Sequence, residues 1–399
     1  MVIGTARAEW IPSFIDEACL SLQFPHLGCA LCIEHCPADA IRIECNGLRI
    51  TEACHGCGRC VAACPTSALS SAAAGLGDRA TIDRLDGAIL IDCERMPRSG
   101  LPEDALTVHC LGGVGVNDLL GLRLRAGDRA IHLLDHGWCA TCPASGGREH
   151  PAREIVTDAA RSMAAIGVAD RLLPSLVKHS SGVAPGPYGH ASAAPIEVSR
   201  RDLLGRWLEP ACKPVPAVTP TKAEPSSRRR GHKVNAAAGE TRFILLQALA
   251  DRFGGNRQAR VMPVVTITDA CAGHRVCVAM CPTGALSAAK GGDGVELSFD
   301  PMSCLACGAC ERGCPTGAIR VAATGSPLDA PDRPVLKRFA MRECADCGDR
   351  FVARASEEFC SSCRKSQGLL PGGGGTDGFF PITAFRSDQA TDRSLIEKG

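Results

Sequence analysis

The chain has 399 residues, 45% of them hydrophobic and 4% aromatic, with a formal net charge of +1 and a single tyrosine, Tyr188. That is length for two to four domains, and a charge near zero excludes a global attraction to nucleic acid or to a membrane surface. Its 25 cysteines are odd in number and fall largely in C-x2-C steps, which reads as metal thiolates in a reducing compartment and excludes a disulfide framework.

Residues 1–16 lack a basic region followed by an apolar run, and no stretch approaches the roughly 18 apolar residues of a membrane span, so the expected location is the cytoplasm. The first cysteine group is Cys19-x9-Cys29-x2-Cys32-x3-Cys36-Pro37, followed by a short strand at 40–45 and a turn at Asn46-Gly47. The second, Cys54-x2-Cys57-x2-Cys60-x3-Cys64-Pro65, is a complete version of the spacing by which one tight loop offers three thiolates to a cubane cluster and a fourth to its neighbour. Together they define a unit over residues 10–75.

Residues 80–180 change character. Apolar runs at 87–92, 106–109 and 130–135, separated by turns and by helical patterns at 116–125 and 151–166, predict a small parallel αβ sheet. Cys93, Cys110 and the pair Cys139 and Cys142 follow the three strands, and carboxyl ends of parallel strands share one sheet edge, so four thiolates could converge there. Residues 183–236 then lose periodicity and become rich in Pro, Ala and Ser, with basic charge at Arg228-Arg229-Arg230, the composition of a flexible linker. Within it Ser199-Arg200-Arg201 is similar to a twin-arginine export motif but lacks the apolar run that should follow, and reads instead as the N-cap of a helix.

The order of the first unit returns over residues 262–325. Cys271-x5-Cys277-x3-Cys281-Pro282 precedes a glycine-rich turn at 291–294 and the complete run Cys304-x2-Cys307-x2-Cys310-x3-Cys314-Pro315. Such a repeat points to duplicated modules, each too small to bury much core of its own. Over residues 338–368, Cys344-x2-Cys347-x12-Cys360-x2-Cys363 closes the series with two C-x2-C corners, and the tail 371–399 has a disordered composition. Cys45 and Cys212 have no partner motif and read as inert.

Both repeated units resemble the bacterial two-cluster [4Fe–4S] ferredoxins, whose motif is matched without departure at Cys54–Pro65 and Cys304–Pro315. The resemblance implies crossed ligation: Cys36, Cys54, Cys57 and Cys60 for one cluster, and Cys29, Cys32 and Cys64 with either Cys19 or His26 for its neighbour. Cys19 is the preferred fourth ligand, because a looped insertion is easily tolerated whereas an imidazole raises a cluster's potential. In the second unit the same crossing gives Cys281, Cys304, Cys307 and Cys310 one cluster and leaves Cys271, Cys277 and Cys314 with three thiolates, which suits a [3Fe–4S] cluster or a cubane completed by His274 or solvent. Cys344, Cys347, Cys360 and Cys363 resemble a zinc ribbon, with a tetrahedral S4 site. The middle region, with Cys110-Leu111-Gly112-Gly113 and Gly137-Trp138-Cys139, distantly resembles the small iron–sulfur subunit that links hydrogenases to heterodisulfide reductases, which implies a [2Fe–2S] cluster on Cys93, Cys110, Cys139 and Cys142; a redox-active Cys139–Cys142 dithiol and plain buried thiols are the other readings.

The expected architecture is therefore α+β and multidomain: two ferredoxin-like dicluster units, a small parallel αβ domain and a small zinc ribbon, with about four [4Fe–4S] clusters, one zinc and a [2Fe–2S] candidate. No P-loop, dinucleotide fingerprint or nucleophile elbow is present, so the chain reads as an electron-transfer subunit or carrier, a wire or a shuttle, rather than a complete enzyme. Resemblance to multi-cluster ferredoxins implies a partner oxidoreductase, such as the molybdopterin enzyme formate dehydrogenase. The alternatives are a redox-sensing nucleic-acid-binding regulator, opposed by the neutral charge and the scarcity of stacking aromatics, and a disulfide reductase using Cys139 and Cys142.

Overall fold

A computed structural model describes residues 10–44, 47–71, 76, 87–97, 105–147, 150–180, 233–291, 294–329, 333–353, 357–366 and 368. Cys45, Cys212, the motif at Ser199, the Arg228–Arg230 run and the tail 371–399 lie outside them. By contact, residues 1–289 with 296–338 make one compact unit, and residues 290–295 with 339–399 a second.

The first unit opens with strand β1 (Ser13–Phe14), which pairs antiparallel with β4 (Leu69–Ser70), and with the hairpin β2 (Ile41–Glu44) and β3 (Gly47–Ile50), in register from Ile41↔Ile50 to Glu44↔Gly47. Between the strands run the short helices α1 (Leu20–Gln23), α2 (Leu31–Glu34) and α3 (Arg59–Ala63). Helices of four or five residues have no stability of their own. Helices α2 and α3 are held by a core that mixes apolar side chains with sulfur: Ile41, Cys60 and Leu69 against Phe14, Ile33, Cys32, Cys36, Leu48, Ile50 and Val61.

A four-stranded parallel sheet follows, in the order β6 (Leu106–Val108), β5 (Ile89–Cys93), β7 (Ile131–Asp135), β8 (Ser175–Lys178). Alternating apolar residues on strands covered by helices are buried, with Ile89, Ile91, Ile131 and Leu133 wholly enclosed. The covering helices are α4 (Val116–Ala126), α5 (Arg153–Ala165) and α6 (Ala237–Arg252). At the start of α4 the Asp118 carboxylate accepts the Gly115 N–H at 2.7 Å, satisfying a helix-end donor. Helix α6 comes from beyond the 80–180 boundary expected from sequence, and its Leu246, Leu249 and Ala250 complete the sheet's core. Arg123 is the largest wholly buried side chain; its guanidinium donates to the Leu172 carbonyl at 2.6 Å and to that of Arg129, and burial pushes its pKa down to about 10, so it stays charged at neutral pH. Arg123→Ala strands both carbonyls and leaves a cavity. We expect it to destabilise the protein by about 3 kcal/mol in chemical denaturation, and a loss below about 1 kcal/mol would mean that water replaces the guanidinium.

The second cysteine-rich segment repeats the order of the first. Strand β9 (Met262–Ile267) pairs antiparallel with β12 (Ile319–Ser326), enclosing helices α7 (Val276–Met280) and α8 (Ala309–Arg312) and the hydrogen-bonded strands β10 (Leu286–Gly291) and β11 (Gly294–Phe299). The last residues of the range expected to be linker are seated on this segment: the Val234 N–H donates to the Pro282 carbonyl at 2.9 Å and Lys233 to the Cys281 carbonyl. Val234 also joins Leu20 and Phe24 in a small core that includes Leu27, Cys29 and Leu305, so the two cysteine-rich segments pack on each other.

In the second compact unit the end of β13 (Val335–Glu343) pairs antiparallel with β14 (Arg350–Val352), Met341 facing Val352, and α9 (Ser361–Ser366) follows. No helix among the described residues is long and apolar enough to cross a membrane.

Candidate metal centres

In the first segment, Cys36, Cys54, Cys57 and Cys60 wall one cavity together with Ile41 and Ile50. The loop Cys54-His55-Gly56-Cys57-Gly58 can present its sulfurs to one point because Gly56 and Gly58 turn at φ +65° and +74°, conformations costly for a side chain. Backbone amides are aimed at the thiols: Gly56 N–H at Cys54 Sγ (3.4 Å), Ala40 N–H at Cys36 Sγ (3.3 Å) and Ala68 N–H at Cys64 Sγ (3.2 Å). Burial, and then the proximity of Cys57, Cys54 and Cys36, pushes the Cys60 pKa up to about 12. Cys32 is pushed up to about 11 by burial and then by Cys19, Cys64 and Cys29. Crowded thiols that would repel as thiolates call for a cation between them. His26 is exposed, its ring 6.1 Å edge-on from Phe24.

The second segment repeats this. Cys281, Cys304, Cys307 and Cys310 wall a cavity with Val265, Leu286 and Phe299. Burial, followed by neighbouring thiols, carries Cys310 to about 12, and burial carries Cys304 to about 12 although the Ala306 amide opposes it. Cys277 is raised by burial and by Cys271, with Cys314 adding to it. At Cys314 burial is the largest single cause and raises the pKa, but the Thr316 hydroxyl, 3.6 Å from the sulfur, and the Ala318 amide, 3.3 Å from it, together with the Thr316 and Ile319 amides outweigh it, and the pKa falls. His274 is exposed, between Gly273 at φ +72° and Arg275 at φ +60°.

In the parallel sheet, Cys93 ends β5, Cys110 follows β6, and Cys139 and Cys142 follow β7; all four line one cavity with His109, His136, His150 and Trp138. Burial raises Cys110, Cys93 and Cys139, the last to about 12, with Cys93 and Cys142 the next causes at Cys139. A dithiol nucleophile needs the opposite shift, so the environment disfavours disulfide exchange at Cys139 and suits four soft ligands around a metal group. Sequence reading did not single out the histidines. His136 donates from Nε2 to the wholly buried Asp92 carboxylate at 2.7 Å and stacks on Trp138, so the ring is fixed beside the four thiols. Apolar runs flag strands, but nothing local in sequence pairs residues 44 apart.

Cys344, Cys347, Cys360 and Cys363 place all four sulfurs within 4.8 Å of one another, the only group of three or more such ligands at that spacing among the described residues. Single-ion tetrahedral S4 coordination needs sulfurs this close, whereas the other groups surround cavities, as a cluster with a body of its own requires. The Cys347 and Cys360 amides bring the Cys344 pKa down to about 6, and the Cys360 N–H points at Cys344 Sγ at 3.2 Å. Phe351 and Phe359 pack beside the sulfurs.

The comparisons with known proteins agree on the cofactor class. Residues 270–318 match the family model of a 4Fe-4S dicluster domain, and residues 28–74 match that of the LdpA Fe-S cluster-binding domain. No curated protein matches the chain. The chain therefore carries iron–sulfur cluster-binding domains and binds metal, which supports a role in electron transfer.

Proposed function

We propose that this protein is an iron–sulfur relay passing electrons between partner proteins through two dicluster ferredoxin units and a middle-domain centre. Cys36, Cys54, Cys57 and Cys60 would hold one cubane cluster and Cys19, Cys29, Cys32 and Cys64 its neighbour; Cys281, Cys304, Cys307 and Cys310 would hold a third, and Cys271, Cys277 and Cys314 a fourth with one labile corner. Cys93, Cys110, Cys139 and Cys142 would hold a [2Fe–2S] cluster, and Cys344, Cys347, Cys360 and Cys363 a structural zinc. Bound clusters would supply one-electron redox chemistry, and the aimed amides and apolar walls would tune its potential.

The observation carrying this reading is the shared core of Leu20, Phe24 and Val234 with Cys29 and Leu305. It packs Cys29 of the first segment and Leu305, the residue that follows Cys304, against one small core, which favours a wire over a shuttle of two units swinging on a linker. The partner is an oxidoreductase, and the resemblance to multi-cluster ferredoxins points to a molybdopterin enzyme such as formate dehydrogenase. Anaerobic purification with iron, sulfide and zinc analysis tests the ligand counts: we expect about four cubane-type clusters, one two-iron cluster and one zinc per chain, with zinc alone lost in Cys360→Ser. A count near two clusters would leave the degenerate motifs empty and break the wire.

A further inference from the structure

Cys57 and Cys110 belong to different cysteine groups yet share one small apolar cluster with Ala144 and Cys142. Each of the two is only 7% exposed. The approach is built in. A Cβ placed on Gly113 would lie 2.5 Å from the Cys57 carbonyl oxygen and 3.2 Å from Gly58 Cα, and one on Gly112 would lie 2.9 Å from Pro151 Cβ and 3.1 Å from Arg59 Cγ. Neither glycine has a left-handed φ, so the missing side chains serve the closeness of two loops and not the shape of one. Polar contacts fasten the joint on both sides: Arg59 donates to the Ser145 carbonyl at 3.1 Å, and a His109 ring nitrogen lies 3.3 Å from the His55 carbonyl.

We propose that Cys57 and Cys110 form an electron junction between the first cysteine-rich segment and the middle site, with Gly112 and Gly113 setting its width. The inference rests on the reading of Cys93, Cys110, Cys139 and Cys142 as cluster ligands and makes their site a terminus of the relay. One electron crosses from the Cys57 side, which is oxidised by one unit, to the Cys110 side, which is reduced by one; no bond forms or breaks and no proton moves. Tunnelling falls steeply with separation, so the close approach of the two loops that carry Cys57 and Cys110 favours transfer across this joint. The far side of the middle site, where Ala140, Thr141 and Pro143 are exposed, is left as the side open to solvent.

The test uses full-length protein loaded anaerobically with iron and sulfide and reduced stepwise with dithionite, followed by paramagnetic resonance. In the wild type, the middle-site signal should broaden and relax faster once its neighbour at Cys36, Cys54, Cys57 and Cys60 is also reduced. Cys54→Ala should return that signal to its isolated form. Gly113→Val keeps every cysteine but forces the loops apart, and should weaken the interaction and slow reduction of the middle site several-fold with iron content unchanged. A middle-site signal indifferent to its neighbour in the wild type overturns the junction and leaves the relay reading intact. If Cys93→Ser changes neither iron content nor any signal, there is no middle centre, and both readings fall.

Discussion

Cys19→Ser should remove or convert one cluster, while His26→Ala should leave iron content at the wild-type level. Both residues sit on the amino-terminal side of Cys29 in a motif where regular spacing would place a cysteine at 26. The fold separates them. Cys19 is partly buried and is the first charge, after burial, to raise the Cys32 pKa, with Cys64 and Cys29 next. His26 lies exposed in a short helical turn that closes on Gly28 at φ +60°, and its ring faces Phe24. Reaching the sulfurs would require unwinding that turn, whereas Cys19 is already among them. A serine oxygen is a hard, weakly basic donor and a poor substitute for thiolate on iron. The effect to measure is the loss of about one cluster's worth of iron and sulfide, with the cluster held by Cys36, Cys54, Cys57 and Cys60 retained. Iron loss in His26→Ala with Cys19→Ser intact would reverse the ligand assignment and imply a higher-potential, imidazole-bound centre.

Local pattern accounts for much of what the sequence discloses here. The apolar runs at 87–92, 106–109 and 130–135 coincide with β5, β6 and β7, because Ile89, Ile91, Leu106, Val108, Ile131 and Leu133 are buried in the sheet's core. Strand β8 escapes that signal: Ser175–Lys178 is half exposed at the sheet edge, and its composition is not that of a core strand. Helix α6 follows a long aperiodic stretch, and nothing in its residues says which surface Leu246 and Leu249 cover. The cysteine spacings identify ligand types because a cluster fixes the geometry of the loop around it. What spacing cannot convey is which groups adjoin. Gly113 looks like an ordinary loop glycine until the Cys57 carbonyl is seen against it, and Leu305 looks like a spacer between two ligands until it is found packed on the core of Leu20, Phe24 and Val234.

These joints bear on how the duplicated motifs work together. A repeat with a long aperiodic stretch between its copies suggests modules that move independently. Contacts made by Val234, Lys233 and Leu305 instead fix the second segment to the first, and α6 ties the region just after the stretch to the parallel sheet. Fixed distances suit a wire, whose rate is set by gaps between neighbouring centres and not by diffusion of a tethered domain.

His274→Cys should convert the weakest cluster site into a complete one. Burial raises the Cys277 pKa first, and Cys271 and then Cys314 raise it further. His274 is exposed, so an imidazole at this position is not held against the site. Three thiolates leave one corner of a cube without a strong protein ligand, and that iron is the one lost first on oxidation. Mild oxidation of wild-type protein should therefore yield a three-iron species with its own paramagnetic resonance signal, accounting for about one cluster in four of the cubane set. A cysteine at 274 restores the regular C-x2-C-x2-C spacing on a loop already turned by Gly273 and Arg275, and should suppress that signal by closing the corner. His274→Ala should leave the three-iron yield unchanged, since the ring is exposed. A wild-type protein that keeps all its iron under oxidation would mean that a fourth strong ligand reaches this site from another part of the chain, and the boundary of the second unit at residues 262–325 would have to be redrawn around it.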